Sequence, residues 1–102
     1  MKIGELRVRA AKAKVGGNIQ FNPGWHLTLD LKNMLDISEA VTKAALERTE
    51  SRGGHTREDF PETDKEWGKL NCIVRQNKDG IVVKREPLPE MPAELAELLK
   101  KD

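Results

Sequence analysis

Between residues 23 and 61 the chain alternates apolar and polar positions with one sustained period. Leu27, Leu31, Met34, Ser38, Val41 and Ala45 follow alternating steps of four and three, the spacing that places side chains on one face of an α-helix. Leu35, Ile37 and Ala44 widen that face, while Lys32, Asp36, Glu39, Lys43, Glu47 and Glu50 fall mostly on the other, as a solvated face would. The pattern predicts one long helix of about 25 residues. It starts near Trp25 or His26, after a Pro23-Gly24 turn, with Asn22 able to cap it at a little distance. It stops at Gly53-Gly54, where positive φ is available. Asp36 and Glu39 have lysines within reach along the helix, so weak helical ion pairs are expected.

The flanking segments carry weaker signals. Residues 5–15 are rich in Ala, Lys, Arg and Leu and read as the tail end of a helix, with a partial stripe of Leu6, Val8, Ala10, Ala13 and Val15. Gly16-Gly17-Asn18 ends it. After Pro61, Trp67 is the one large apolar anchor in a polar stretch. Residues 70–76 and 81–85 are β-branched runs flanking Asn77-Lys78-Asp79-Gly80, which predicts a β-hairpin. An isolated hairpin is marginal in water, so it should lie against something. Pro87, Pro89 and Pro92 force an extended segment. Residues 93–101 predict a short helix, acidic early and basic late as the helix dipole favours, and marginal without tertiary contacts.

Composition sharpens this picture. The 102 residues suit one small domain, yet only 37% are hydrophobic and 34% are charged, which is little apolar material for a domain standing alone. The apolar faces of the two helices need a further partner, so the chain reads as a piece of a larger protein. The Leu27, Leu31, Met34, Val41 stripe lacks cover on one side and predicts self-association, by exchange of helices between copies. A net charge of +1 gives no strong pull toward nucleic acid or a membrane surface. The single Cys72 excludes an intramolecular disulfide and fits a reducing compartment. No apolar run approaches the roughly 20 residues of a spanning helix, and the N-terminus shows no signal-peptide pattern.

The candidate chemistry gathers behind the long helix. Arg52, His55, Arg57, Glu58 and Asp59 form the densest polar cluster in the chain, closed by Phe60-Pro61. Such groups could act on an anion or move a proton. They also suit a helix-end network, because His and Arg near a helix C-terminus complement the dipole and satisfy its free carbonyls. His26, His55 and Cys72 lack metal-ligand spacing, so no metal site is expected, and Cys72 reads as a small buried residue of the hairpin. Gly16-Gly17 lacks the spacing of a dinucleotide fingerprint. The basic run of Arg7, Arg9, Lys12 and Lys14 reads as a solvated helix face, and with no Tyr and two Phe for stacking no nucleic-acid partner is expected.

The stretch Glu50-Ser51-Arg52-Gly53-Gly54-His55-Thr56-Arg57-Glu58-Asp59-Phe60-Pro61 resembles the E-S-R-G-x-H-x-R-x-D-[FY]-P signature in the C-terminal domain of succinate dehydrogenase and fumarate reductase flavoprotein subunits. Leu29, Leu31, Asn33, Met34 and Leu35, followed by Glu39-Ala40, are similar to the stretch that precedes it in that family, and Trp67 stands where the family tends to have tryptophan. The similarity runs from about Arg7 to Asn71. L-aspartate oxidase and related flavoproteins share a version of the signature.

The resemblance implies a mainly α fold. It would be a truncated, spectrin-like three-helix bundle missing its first helix, over residues 1–70, ending in the SRGGHTRED turn. A β-hairpin and Pro-rich tail with a short helix would occupy 71–102. It implies a parent subunit that interconverts succinate and fumarate through bound FAD and passes electrons to an iron–sulfur subunit and then quinone. The family's FAD-linking histidine, dinucleotide fingerprint, substrate-binding His and Arg and proton-delivering Arg all lie upstream. No catalytic, cofactor-binding or metal residue is therefore assigned here, and the piece alone is expected to be inactive. Arg52, His55, Arg57, Glu58 and Asp59 become candidate docking residues toward the FAD domain or a neighbouring subunit. The implied location is cytoplasmic, peripheral to the inner face of the cell membrane through partner subunits and without direct membrane insertion. Competing readings are a free-standing protein-binding adapter, an L-aspartate-oxidase-like C-terminal domain and a small nucleic-acid binder.

Overall fold

Helix α1 (Lys2–Ala11) and helix α2 (Pro23–Glu47) precede a short 3-10 turn at Trp67–Lys69. Strands β1 (Leu70–Asn77) and β2 (Gly80–Pro87) and helix α3 (Ala93–Leu99) follow in this computed structural model, which describes residues 2–100. The expected end of the last helix at Lys101 lies outside the described residues. Helices α1 and α2 pack on each other, the hairpin packs on α2, and α3 makes no substantial contact with them. The described fold is thus three helices and a two-stranded antiparallel hairpin, a mixed α/β arrangement rather than the expected bundle. The short α3, with Leu95, Leu98 and Leu99 exposed, does not join the helix pair.

Helix α2 begins earlier than its apolar period suggested, because Pro23 and Gly24 form its first turn. Proline at this position loses nothing, since its missing N–H would have no helical partner. Asn22 is the cap itself: its Oδ1 accepts from Gly24 N at 3.1 Å, and its Nδ2 donates to the carbonyls of Gly16 and Asn18. The helix also ends earlier, at Glu47, with Arg48 already extended. Gly53-Gly54 is not its stop. The last carbonyls are taken by the Arg57 guanidinium from the following turn, so no glycine cap is required. Helix α1 is shifted the other way, starting at Lys2 and ending at Ala11, which leaves Ala13 and Val15 outside it.

The core is small and lies in two places, where α1 crosses α2 and between the end of α2 and the hairpin. Leu35 and Trp67 are its buried apolar residues among those described. The predicted stripe is rotated: Leu27, Met34 and Val41 stay 67%, 62% and 62% exposed, while Thr28, Leu31, Leu35 and Glu39 face cover. Arg7 explains the rotation. It reaches across to Asp36 at 2.5 Å and Glu39 at 2.7 Å and donates to the Leu35 carbonyl, which seats α1 over Leu35. Arg7 is therefore not on a solvated face, and Glu39, which also accepts from Lys43 at 3.1 Å, is half-buried. Replacing Leu35 with alanine is expected to destabilise the chain by about 2 kcal/mol, the low end for a core leucine because the site opens toward solvent. Urea unfolding followed by circular dichroism measures it.

The hairpin register runs from Leu70↔Pro87 to Asn77↔Gly80. Lys78 and Asp79 form the two-residue loop, and Gly80, with φ +112, follows it as the first residue of β2. The Asp-Gly pair thus marks the turn with its glycine at the exit, and Asn77 Oδ1 accepts from Asp79 N at 2.9 Å. Lys43 donates to the Ile81 carbonyl at 2.9 Å and Arg85 pairs with Glu47 at 2.6 Å, so the hairpin lies against the C-terminal half of α2. Cys72 is half-buried in β1.

The polar turn behind the long helix

Arg48, Glu50 and Arg52 alternate along an extended segment, which brings all three side chains to one side. Glu50 is fully buried, with no exposed surface. Its Oε1 accepts from Arg48 and from Arg52 Nε at 2.9 Å, and its Oε2 accepts from the Asp64 backbone N–H at 2.8 Å. The helical period put Glu50 on the solvated face, and there the structure corrects it: the helix has ended three residues earlier. The alternation R-x-E-x-R, a period of two and not of 3.6, is the signal that marks these residues.

Each arginine carries more than the ion pair. Arg48 also donates to the carbonyls of Trp67 and Leu70, and Arg52 to that of Asp64 at 2.8 Å. Gly68 makes room for Arg52, since a Cβ there would stand 2.9 Å from its Nη2. Trp67 closes the cluster. Its Nε1 donates to Thr49 Oγ1 at 3.0 Å, and Arg48 and Arg85 lie 5.1 and 4.6 Å from its ring centroid. The Arg52 guanidinium, then the Asp64 N–H and Arg48, hold the Glu50 carboxyl down to about 2 against the opposing effect of burial.

The residues singled out along the chain sit in the next loop. Arg52 and His55 exchange backbone hydrogen bonds of 2.8 and 2.9 Å around Gly53-Gly54, and Gly53 takes φ +57 as the first central residue of this tight turn. His55 Nε2 lies 3.1 Å from the Arg48 carbonyl, so this nitrogen carries the proton. Arg57 donates to the carbonyls of Leu46 at 2.8 Å and Arg48 at 3.2 Å, and its fork grips Asp59 at 2.9 and 2.6 Å. That pairing lowers the Asp59 carboxyl below its ordinary range. Phe60 lies under Arg57, 4.8 Å from its Cζ. Ser51 ties the ends together, accepting from Arg57 N and donating to the Phe60 carbonyl at 2.7 Å. Glu58 stands apart, exposed and without a hydrogen bond or ion pair among the described residues.

The structure therefore brings Arg52, His55, Arg57 and Asp59 together as a helix-end network. Permanently charged guanidiniums aimed inward at carbonyls and carboxylates fix a shape; they are not arranged to move a proton. No three His, Cys, Asp or Glu are grouped to hold a metal among the described residues. A flavin does not fit these residues either. Among the described residues the sheet is a single antiparallel hairpin with no phosphate-binding turn into a helix, and the grooves beside α1 and the 59–65 loop are not enclosed. These residues support no chemical step through a flavin.

The chain matches the family described as "Fumarate reductase flavoprotein C-term" over residues 1–97. It is 48% identical over 75 residues to a fumarate reductase (CoM/CoB) subunit of Methanothermobacter marburgensis, covering 74% of this chain and 12% of that protein. It is 44% identical over 77 residues to an FAD-dependent oxidoreductase of Methanocaldococcus jannaschii, covering 76% of this chain and 13% of that one. Among solved structures, a chain of the Mycobacterium smegmatis Sdh1 complex in the apo form superposes with a TM-score of 0.76 at 44% identity, over 97% of this chain and 18% of its own length. The chain thus spans about one eighth of the two relatives, at 13% and 12% of their lengths. A turn built on a buried carboxylate, set behind a long helix, belongs together with these matches: the chain is a member of the family of C-terminal domains of succinate dehydrogenase and fumarate reductase flavoprotein subunits.

Proposed function

We propose that the chain braces a larger flavoprotein subunit whose FAD-containing part interconverts succinate and fumarate, and that the polar turn is the docking element. The observation that carries this reading is the investment of a fully buried carboxylate and three arginines in one surface turn, in a chain whose apolar core is two residues among those described. A loop with no partner to meet needs no such rigidity. In this reading Arg52, His55, Arg57 and Asp59 hold the turn in shape, and the exposed Glu58 and the outer side of Arg52 face the flavin domain or a neighbouring subunit, an iron–sulfur subunit among them. Membrane attachment is peripheral, through partner subunits, in keeping with the finding that no described helix is long and apolar enough to cross a membrane.

The test is Glu58→Lys in the full-length flavoprotein, beside Arg57→Ala. Glu58→Lys leaves the internal network untouched, so its expected effect is weakened subunit assembly or flavin retention with an unchanged circular dichroism spectrum. Arg57→Ala removes the carbonyl contacts at the end of α2 and is expected to lower both assembly and thermal stability. Full retention of flavin, assembly and activity in both variants would exclude the turn as a docking element.

A further inference from the structure

The loop between α1 and α2 is tightly held, yet it presents one large apolar side chain to water. Phe21 is 100% exposed, and among the described residues it is the sole non-glycine with positive φ, at 53°. That region of backbone is open to glycine and asparagine and costly for an aromatic residue. The rest of the loop imposes it. Asn22 Nδ2 donates to the carbonyls of Gly16 and Asn18 at 3.0 and 2.9 Å, Asn18 Oδ1 accepts from Ile19 N at 2.8 Å, and Gly17 takes φ +93. Gly24 lets the two ends close, since a Cβ there would stand 3.0 Å from Val15 Cγ1. Within this chain Phe21 gains no contact in return, and strain of this kind persists where the strained residue is used. Composition agrees. Residues 15–29 carry no Asp, Glu, Lys or Arg, in a chain that is 34% charged. A loop that stays in water has no need to shed charge.

We propose that Phe21 is an apolar anchor that inserts into an uncharged pocket on the remainder of the same polypeptide. This rests on the reading that the chain is one part of a flavoprotein subunit. It adds a second contact at the opposite end of α2 from the polar turn, about 36 Å away at 1.5 Å per residue. Magnitude decides the occupant. Phe21 and its neighbour Ile19, 60% exposed, bury too little to offset the freedom that two separate molecules lose on association. Within one polypeptide that loss does not arise, because the linked surface is already at high effective concentration. The relatives have such a surface to offer: the chain spans 12–13% of their lengths and 18% of the solved chain whose fold it shares.

Hydroxyl-radical footprinting of the wild-type protein, read by peptide mass spectrometry, reports the exposure of each ring. Phe21 is expected to oxidise at least several-fold more slowly in the full-length flavoprotein than in the 102-residue chain. Phe21→Asn suits the left-handed backbone. It should leave the melting temperature of the 102-residue chain unchanged or raised, and lower that of the full-length flavoprotein, with Phe21→Leu restoring most of the loss. Equal oxidation of Phe21 in the two proteins would overturn the proposal. So would protection that grows with the concentration of the 102-residue chain, the mark of a second copy, or that appears in the flavoprotein only when partner subunits are added. A full-length Phe21→Asn variant as stable as the wild type would overturn it as well. Protection of Phe21 in a flavoprotein whose flavin and assembly survive both Glu58→Lys and Arg57→Ala would keep the anchor and remove the docking turn, so the two readings fail separately.

Discussion

Trp67→Ala is expected to cost about 3–5 kcal/mol, the range for truncating a buried aromatic. In a domain with so small a core, that is a large share of a stability that is about 5–15 kcal/mol for typical domains. The ring is one of two buried apolar side chains among those described, and it joins three separate elements. Arg48 reaches it from the end of α2, Arg85 from β2, and Thr49 accepts its indole N–H. Without it the hairpin loses its seat and the Glu50 cluster loses its apolar wall. Trp67→Phe keeps most of the buried area and a ring for both arginines, and gives up the hydrogen bond, for a smaller loss of about 1 kcal/mol. Urea unfolding of the two variants separates these contributions. Equal stability of wild type and Trp67→Ala would mean that the hairpin docks through α2 alone.

The second large effect belongs to Glu50. Glu50→Ala strands Arg48 and Arg52 beside a cavity with no carboxylate, and leaves the Asp64 N–H without its acceptor. Removing one member of a buried ion cluster is among the costlier single changes, and a fall in Tm of about 10 °C or more is expected. The same group sets the acid limit of the fold. Its carboxyl is held at about 2, below the ordinary 4.5. A depressed carboxyl contributes stability that is fully present above pH 4.5 and drains away as the pH falls toward 2. Glu39, lowered by Arg7 and then Lys43, and Asp59, lowered by Arg57, act in the same sense. Glu50→Gln should therefore be less stable at neutral pH and lose less on acidification, so that the two curves converge near pH 2. Parallel curves for wild type and Glu50→Gln would show that the acid transition lies elsewhere.

Part of this architecture was legible along the chain. The 3.6-residue period between Leu27 and Ala45 gives α2, and the β-branched runs around Asn77-Lys78-Asp79-Gly80 give the hairpin, because both signals are local. The polar crowd after the helix and its resemblance to the flavoprotein signature are likewise written in consecutive residues. The place where α2 stops is not. Arg57, nine residues beyond Arg48 in sequence, takes the carbonyls that a glycine cap would otherwise have answered.

Neighbouring residues are enough to say which segments become helix or strand and which family the chain joins, since periodicity, turn residues and a consecutive signature need no knowledge of what lies across space. Which face of α2 is covered, and whether Glu50 is inside or out, depends on contacts between distant segments. Arg7 chooses the covered face by spanning 29 residues to Asp36, and Glu50 is buried only because Arg48, Arg52 and the Asp64 N–H converge on it. A charge can leave water only where partners meet it: Arg48 and Arg52 are written beside Glu50 in the sequence, but the Asp64 N–H, 14 residues on, and the Trp67 ring are brought there only by the fold.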